Sequence, residues 1–467
     1  MSKKTNVYKL FLILLAIMPF FRLDAQVKKE ILKQPNILFL LADDLGYGEL
    51  GCYGQKVIQT PVLDKMAKDG IRLTNFYAGN AVCSPSRAVL MTGVNSSNNT
   101  IRGNNGLYGE RFDRVPLKPT DETLAEMLRK VGYQTAFIGK WHLDDPNDLN
   151  TWAYSRGFDY AVQEQWGSHF TGQGTRTEHW EYINGIEDSV RFKVNQWNCQ
   201  DEFRTKLAID YLDKREKDKP FFLFMSYRAP HAHEYELGNK TLYADRGWPE
   251  VERRHAAKVT LLDTQIGRML KKLEEIGELE NTLIFFTSDN GPHGEEGHDY
   301  EFFNSNSDLR GFKRDTYEGG IRVPAIIYWK GKIKGGQVSD YIGCGQDFMP
   351  TIAEVVRTAV PAKSNGVSFF PLIKGKTPEK REFLNWEFQK NGFNPENFRQ
   401  AVRIGNMKAV RYGIDSPTEI YDLNTDISET HDISNQYPDL VKKVNCIFRE
   451  QRSKNLHYPY GGYKNKQ

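Results

Sequence analysis

Acidic, amide, basic and imidazole side chains follow closely on four short apolar runs in this 467-residue sequence. Asn36 to Ala42 (NILFLLA) leads into Asp43 and Asp44, and Thr135 to Ile138 (TAFI) into Lys140 and His142. Phe221 to Ser226 (FFLFMS) leads to His231, and Thr282 to Thr287 (TLIFFT) to Asp289 and Asn290. Unbroken apolar runs of this kind are strands buried on both faces, as in parallel sheets. Ligands of open parallel sheets bind beyond the carboxyl ends of the strands, so the sequence delivers these residues to one edge. Three carboxylates and an amide oxygen make an all-oxygen donor set for a hard cation, calcium or magnesium, with no histidine or thiolate required. Taken singly, Asp43-Asp44 and Ser288-Asp289-Asn290-Gly291 read as turns; together, at the ends of two buried strands, they favour the metal.

A second cluster is Cys83-Ser84-Pro85-Ser86-Arg87, ahead of AVLMTG. Pro85 suits the first turn of a helix, which places Cys83 at a helix N-terminus where free N–H groups and the dipole favour an anion. Arg87, four residues on, shares its face. Two other readings stay open: an inert buried cysteine, or a cysteine nucleophile with His142 or His231 as its base.

The elements that must position these residues alternate. Between the strands, and a further one at Val323–Trp329, lie helical patterns at Asp121–Lys130, capped by Thr120 or Asp121, and at about Arg254 to Ile276, stopped by Gly277. The fold class is therefore α/β, a large mostly parallel sheet covered by helices on both sides. From about residue 360 Pro and Gly punctuate the chain. Strand-like pieces at Ala401–Ile404, Lys408–Arg411 and Glu419–Asp422 then suggest a smaller α+β unit with an antiparallel sheet. The expected organisation is a leader over 1–25, a catalytic domain over 26–360 and a C-terminal subdomain over 361–467.

Charge and composition narrow the class. The chain carries 63 basic and 60 acidic side chains, a formal +3. Without the first 25 residues, which hold Lys3, Lys4, Lys9, Arg22 and Asp24, the two balance at 59 each. A nucleic-acid binder needs a basic surplus, so that class is excluded. A hydrophobic content of 39% supports a large core. Leu10 to Phe21 is apolar behind three lysines but too short to span a bilayer. With Ala25 it reads as a secretory signal cut near Gln26, the alternative being a buried first helix. No later run approaches transmembrane length, so no stable membrane insertion is expected. Five cysteines (Cys52, Cys83, Cys199, Cys344, Cys446) contain no CxxC, which leaves a zinc ribbon or thioredoxin-like site unsupported. Their odd number leaves at least one unpaired within the chain.

The pentapeptide CSPSR resembles the signature of the formylglycine-dependent sulfatases of the alkaline phosphatase superfamily. The likeness extends to PNILFLLADDLGYGELGCYG, GKWHL, APH, SDNG, LRGFKRDTYEGGIRVP and IYDLNTDISETHDI, in order from Pro35 to about Ile433. It implies that Cys83 is converted to formylglycine (3-oxoalanine) by a formylglycine-generating maturation enzyme. It further implies that Asp43, Asp44, Asp289 and Asn290 hold calcium, with the hydrated residue 83 completing the shell. Arg87 would hold the diol, Lys140 and Lys313 the sulfate oxygens, His231 and Lys313 the leaving oxygen, and His142 the second diol hydroxyl. The family often has Pro two residues after the APH histidine; here His233 stands there, so His231 takes the role and His233 is a substrate-side candidate.

The resemblance implies a sulfuric ester hydrolase, and the segment from Gly291 to Pro324 resembles secreted bacterial carbohydrate sulfatases more than lysosomal ones. Steroid sulfatases carry a membrane-inserting hairpin, and no such apolar insert is present. Trp152 to Trp197 (with Trp166, His169, Arg176, His179 and Trp180) and Gly291 to Asn306 mix aromatic and polar side chains, as sugar-binding surfaces do. Arg102, His179, His298 and Arg314 are the candidate substrate contacts. The expected substrate is a galactose, N-acetylgalactosamine or N-acetylglucosamine sulfate of host glycans. Alternatives are an arylsulfatase, a phosphatase or phosphodiesterase of the same superfamily, or an inactive sulfoglycan-binding protein. The expected compartment is a bacterial periplasm or exterior. Asn95-Ser-Ser, Asn98-Asn-Thr and Asn239-Lys-Thr match the N-glycosylation pattern and keep a eukaryotic lysosomal or extracellular setting as the rival.

Overall fold

The computed structural model describes residues 34–165, 178–232 and 237–463. The leader-like stretch 1–25, Trp166, His169, Arg176 and His233 lie outside them. From Pro35 onward the described residues form one compact unit.

Its centre is a ten-stranded sheet. The order is Gln337–Ser339, Ile71–Leu73, Ala325–Tyr328, Thr282–Ser288, Asn36–Asp43, Phe221–Pro230, Gln134–Gly139, Tyr160–Glu164, Glu178–Ile183 and Asp188–Lys193. The five central strands, from Thr282–Ser288 to Tyr160–Glu164, are mutually parallel. The outer ones are mixed. Ala325–Tyr328 lies antiparallel to Thr282–Ser288, and the hairpin Glu178–Lys193 adds two antiparallel strands at the far edge. The sheet is thus parallel at its centre and mixed at its margins, where the turn 184–187 between the last two strands is too short for a parallel crossover.

The middle strand shows why its apolar run is unbroken. Ile37, Phe39 and Leu41 enter one core, with Ala88, Leu90 and Met91 of the helix Cys83–Thr92 and Phe348 and Ile352 of the helix Phe348–Val356. Leu38, Leu40 and Ala42 enter the other, with Val259, Leu262 and Ile266 of the helix Glu250–Glu275. Side chains alternate across a strand, so both faces must be apolar when both are covered. Phe39 stacks on Phe224 at 4.9 Å and meets Phe348 edge-on at 4.8 Å. Truncating such a ring to Ala costs about 3–5 kcal/mol.

Two helix starts differ from the sequence expectation. The helix after Asp121 begins at Leu124, because Thr123 forms a capping box with Glu126. Asp121 is instead occupied by the Lys118 amide and the Thr100 hydroxyl. The long helix starts at Glu250, directly after Pro249, and ends before Gly277, which adopts φ +71°.

The C-terminal part is a four-stranded antiparallel sheet of Leu384–Gln389, Phe398–Ile404, Met407–Tyr412 and Glu419–Asp422, backed by the helix Pro438–Glu450. Its first strand had no counterpart in the sequence reading. Trp386, Phe388 and Val410 pack against Tyr77, Val82, Tyr317 and Ile321. All five cysteines are free thiols. Among the described residues no helix is long and apolar enough to cross a membrane.

Candidate active site

The parallel register sets the carboxyl ends of the central strands side by side: Ala42 lies opposite Ser288, Leu41 opposite Ser226, and Ser226 opposite Gly139. The residues just beyond therefore meet. Asp44 accepts a 2.7 Å hydrogen bond from the Asn290 amide, and its backbone N–H donates to Asp289 at 3.0 Å. The helix Cys83–Thr92 points its N-terminus into this group. Cys83 Sγ lies 3.3 Å from Asp43 Oδ1 and 3.8 Å from Asp44 Oδ1. One turn on, Arg87 donates to Asp289 Oδ2 at 2.7 and 2.9 Å, to the Lys140 carbonyl at 2.7 Å and to Ser226 Oγ at 2.5 Å. Lys140 sits on both oxygens of Asp43. Lys313 spans Asp44 at 2.7 Å, Glu295 at 3.1 Å and His231 Nε2 at 3.4 Å. Ser84 Oγ donates to the His142 carbonyl at 2.8 Å and ties the GKWHL turn to the helix start.

Asp44 (φ 64°) and His142 (φ 59°) are held in the left-handed region. That costs non-glycine residues of the order of 1 kcal/mol each and is characteristic of functional turns.

The charges explain the protonation states. Burial raises the Asp43 carboxyl, but Lys140, Arg87 and Arg228 outweigh it and hold it well below the usual range. Asp289 is pushed up to about 7 by burial and by the charge of Asp43, against the pull of Arg87. The Cys83 thiol is pushed far up by burial and by Asp43, which leaves it a protonated, poor nucleophile. His142 and His231 are both driven down, first by burial; Arg114 and Lys140 add to this at His142, and Arg228 and Lys313 at His231. Both imidazoles are neutral at pH 7. Burial lowers Lys313, but Asp44 and Glu295 overcome it and keep the ammonium.

The donor set fits a hard cation. Asn290 Nδ2 is committed to Asp44 and to the Gly291 carbonyl, which turns Oδ1 the other way. That Oδ1 is buried with no partner among the described residues. A buried acceptor without a donor is costly unless it meets a positive centre. Ligating atoms of Asp43, Asp44, Cys83 and His231 lie within 4.8 Å of one another.

The four candidate substrate contacts separate. Arg102 is fully buried, paired with Glu387 at 2.5 Å and bonded to the Ser453 carbonyl; it joins the helix-linked loop to the small sheet. His179 is buried on Gln200 Nε2 in a network with Glu181 and Arg204. His298 is buried on Glu252 at 2.7 Å. Only Arg314, beside Lys313 and paired with Glu295, reaches solvent at the site, with 36% of its side chain exposed. The first three are held by internal carboxylates, which a sequence of alternating aromatic and polar residues does not reveal.

His255, His293 and His298 also converge. The rings of His255 and His298 stack at 3.8 Å and 13°, so their in-plane lone pairs run parallel and do not meet at one point. They form a packed, hydrogen-bonded unit with Glu49 and Glu252.

Sequence reading missed Ser226, Arg228 and Glu295. Ser226 ends an apolar run and Arg228 follows it by two, so the strand-end rule applied to every polar residue would have found both. Arg228 lies 3.9 Å from Asp43 and 3.2 Å from Glu164. Glu295 carries no local signal.

Comparison with known proteins matches these features. The sulfatase family model covers residues 35–358, and the model for the C-terminal part of N-sulphoglucosamine sulphohydrolase covers 311–454. The chain is 31% identical over 372 residues to human N-acetylgalactosamine-6-sulfatase, spanning 75% of this chain and 68% of that one. It is 27% identical over 515 residues to N-acetylglucosamine-6-O-sulfatase of Bacteroides thetaiotaomicron, spanning 88% and 84%. Among solved structures, Ps i-CgsB in complex with k-i-k-neocarrahexaose superposes with a TM-score of 0.73 at 26% identity, over 90% of this chain and 92% of that one. With a family match running from the opening strand to beyond the helix Phe348–Val356, and with Asp43-Asp44, Asp289-Asn290 and CSPSR meeting at one sheet edge inside it, the chain belongs to the sulfatase family of sulfuric ester hydrolases.

Proposed function

We propose that this sulfatase removes an O-sulfate from a sugar, a galactose, N-acetylgalactosamine or N-acetylglucosamine unit of host glycans, using Cys83 matured to formylglycine and one calcium ion. The observation that carries the reading is the position of Cys83 Sγ, at a helix N-terminus and 3.3 Å from Asp43, among carboxylates that leave a bare thiol protonated. An oxygen nucleophile suits that place better than a thiolate does. The sugar sulfates named for the human and Bacteroides relatives, and the oligosaccharide bound by Ps i-CgsB, support the substrate class.

Asp43, Asp44, Asp289 and Asn290 would hold calcium, which supplies a Lewis acid for the sulfate oxygens. Hydrated formylglycine supplies the attacking oxygen and, through its second hydroxyl, a route to release sulfate. The remaining work falls to the chain's own side chains. Arg87, fixed by Asp289, Ser226 and the Lys140 carbonyl, keeps a positive charge one turn from residue 83. Lys140 and Lys313 exchange Asp43 and Asp44 for the sulfate, where charge builds in the transition state. Lys313 is charged and 3.4 Å from the neutral His231, so the pair can pass a proton to the leaving oxygen. His142, neutral and with a buried Nδ1 lacking a partner among the described residues, serves as base toward the second hydroxyl.

The test is sulfate release from a panel of sulfated mono- and disaccharides by protein co-produced with a formylglycine-generating enzyme, with Cys83→Ala as control. Release from one sugar with a silent control supports the reading; equal release by Cys83→Ala overturns the role of residue 83. One calcium per chain separates it from a two-zinc phosphatase. Export to the bacterial periplasm through 1–25 is part of the proposal, and a mature N-terminus at Gln26 is its check.

A further inference from the structure

The two groups on the leaving-oxygen side, His231 and Lys313, come from segments far apart in sequence, and one buried side chain joins them. His293 is fully buried. The Glu295 backbone N–H donates to His293 Nδ1 at 3.2 Å. Nδ1 is therefore the bare nitrogen, and the neutral ring carries its proton on Nε2. That Nε2–H lies 3.1 Å from the carbonyl oxygen of Pro230, the residue immediately before His231. On the other side, the Glu295 carboxylate holds Lys313 Nζ at 3.1 Å, and the Lys313 N–H donates to the carbonyl of Pro292, next to His293, at 2.8 Å.

We propose that His293 is a positioning residue: it clamps the backbone ahead of His231 to the segment carrying Glu295, and so sets the spacing between the His231 ring and the Lys313 ammonium. It does not touch the reacting atoms itself, since its ring centre lies 6.3 Å from that of His231. The His255 and His298 rings wall it in at 5.5 and 4.9 Å, each anchored on a carboxylate, Glu49 or Glu252. Burial and these two neighbours keep it neutral, as both hydrogen bonds require. Lys258 donates to the His231 carbonyl at 2.9 Å and pins the segment beyond.

The inference rests on the sulfatase reading for its consequence. A phenol of low pKa leaves with little proton assistance, whereas a sugar hydroxyl needs a positioned acid. His293→Leu should lower kcat/KM about 10²-fold on a sugar sulfate and less than about tenfold on a nitrophenyl-type sulfate. His293→Gln, which keeps a donor near the Nε2 position, should recover much of the loss on the sugar substrate. Equal losses on both substrates would overturn the proposal, because a structural defect lowers both alike. If His293→Leu does not fold, Glu295→Ala at the partly exposed end of the clamp should show the same skew, and an even loss there counts against it. A crystal structure of His293→Leu or, where that variant does not fold, of Glu295→Ala reads the spacing without turnover. His231 and Lys313 moving apart beyond hydrogen-bond reach supports the clamp, and an unchanged 3.4 Å refutes it. Wild-type protein inactive on both substrates would sink the sulfatase reading, while this structural arm still decides the role of His293.

Discussion

The ammonium of Lys140 lies 2.7 Å from one carboxylate oxygen of Asp43 and 2.9 Å from the other, both side chains being buried. A lysine assigned to the substrate in the proposed reaction is here the counter-charge of a carboxylate assigned to the cation. Arg87, at 3.4 Å, is the next positive group to Asp43.

That pairing makes Lys140→Ala informative in two ways. Turnover should fall by about 10²-fold or more, as when one preorganised charge on a transferring group is lost. Stability should respond to calcium. In chelator, Asp43 loses its main partner, and breaking a buried pair costs about 3–5 kcal/mol. With calcium bound the ion replaces the lysine, so the drop in Tm should be clearly smaller. Equal drops in both conditions would contradict competition between Lys140 and a cation for Asp43.

Calcium itself should stabilise the wild-type protein. A ligand at 100 times its Kd adds about 2.7 kcal/mol to the folded state. Asn290→Ala removes the buried Oδ1 acceptor and should abolish most of the calcium-dependent rise in Tm while leaving the chelated protein near its wild-type value. Asp289→Ala should abolish turnover in a protein that still folds. Magnesium, which is smaller and keeps its waters, should give a weaker shift at equal concentration. A calcium response undiminished in Asn290→Ala would remove that residue from the ligand set.

How far the sequence reached can be seen at particular positions. The site edge was legible because each of the central strands is covered on both faces: NILFLLA has no polar interruption, and the first polar residues after it are the ones that meet Cys83, Asp289 and Asn290. The direction of Ala325–Tyr328 was not legible, since an apolar run states burial and not polarity. Leu384–Gln389 was legible yet missed: LNWEFQ alternates apolar and polar residues strictly, as a strand does, and what the pattern does not reveal is that its Glu387 is buried against Arg102 and Arg452. The same pairing misled the reading of Arg102. A basic residue near an active-site motif looks like a substrate contact until a partner 285 residues away is seen.

Arg102→Ala should therefore damage folding more than binding. The guanidinium is fully buried on Glu387, which Arg452 also holds at 2.6 and 2.9 Å. Loss of the pair should cost about 3 kcal/mol, near the lower end for a buried ion pair because Arg452 remains. Urea unfolding would read this directly, and KM on any accepted substrate should stay within about twofold. A large rise in KM at unchanged stability would return Arg102 to the substrate side.

Asp263 offers a test of pH dependence away from the catalytic groups. Its two oxygens accept the N–H groups of Val62 at 3.1 Å and Leu63 at 2.8 Å, capping the helix Pro61–Asp69 from the neighbouring long helix. Burial pushes its carboxyl up to about 6, against the lowering effect of those two donors. The folded chain therefore holds this proton at a pH where the unfolded chain has released it. The group's contribution to stability is fully present below about pH 3.8, declines as pH rises, and is gone above about pH 6, a change of at most about 3 kcal/mol. Asp263→Asn cannot ionise, so the pH-dependent part should vanish in the variant whatever its absolute stability. Between pH 4 and 7 the wild-type urea midpoint should shift downward relative to that of Asp263→Asn. Parallel profiles for the two proteins would show that Asp263 ionises at the same pH folded and unfolded, and that two backbone donors fully offset its burial.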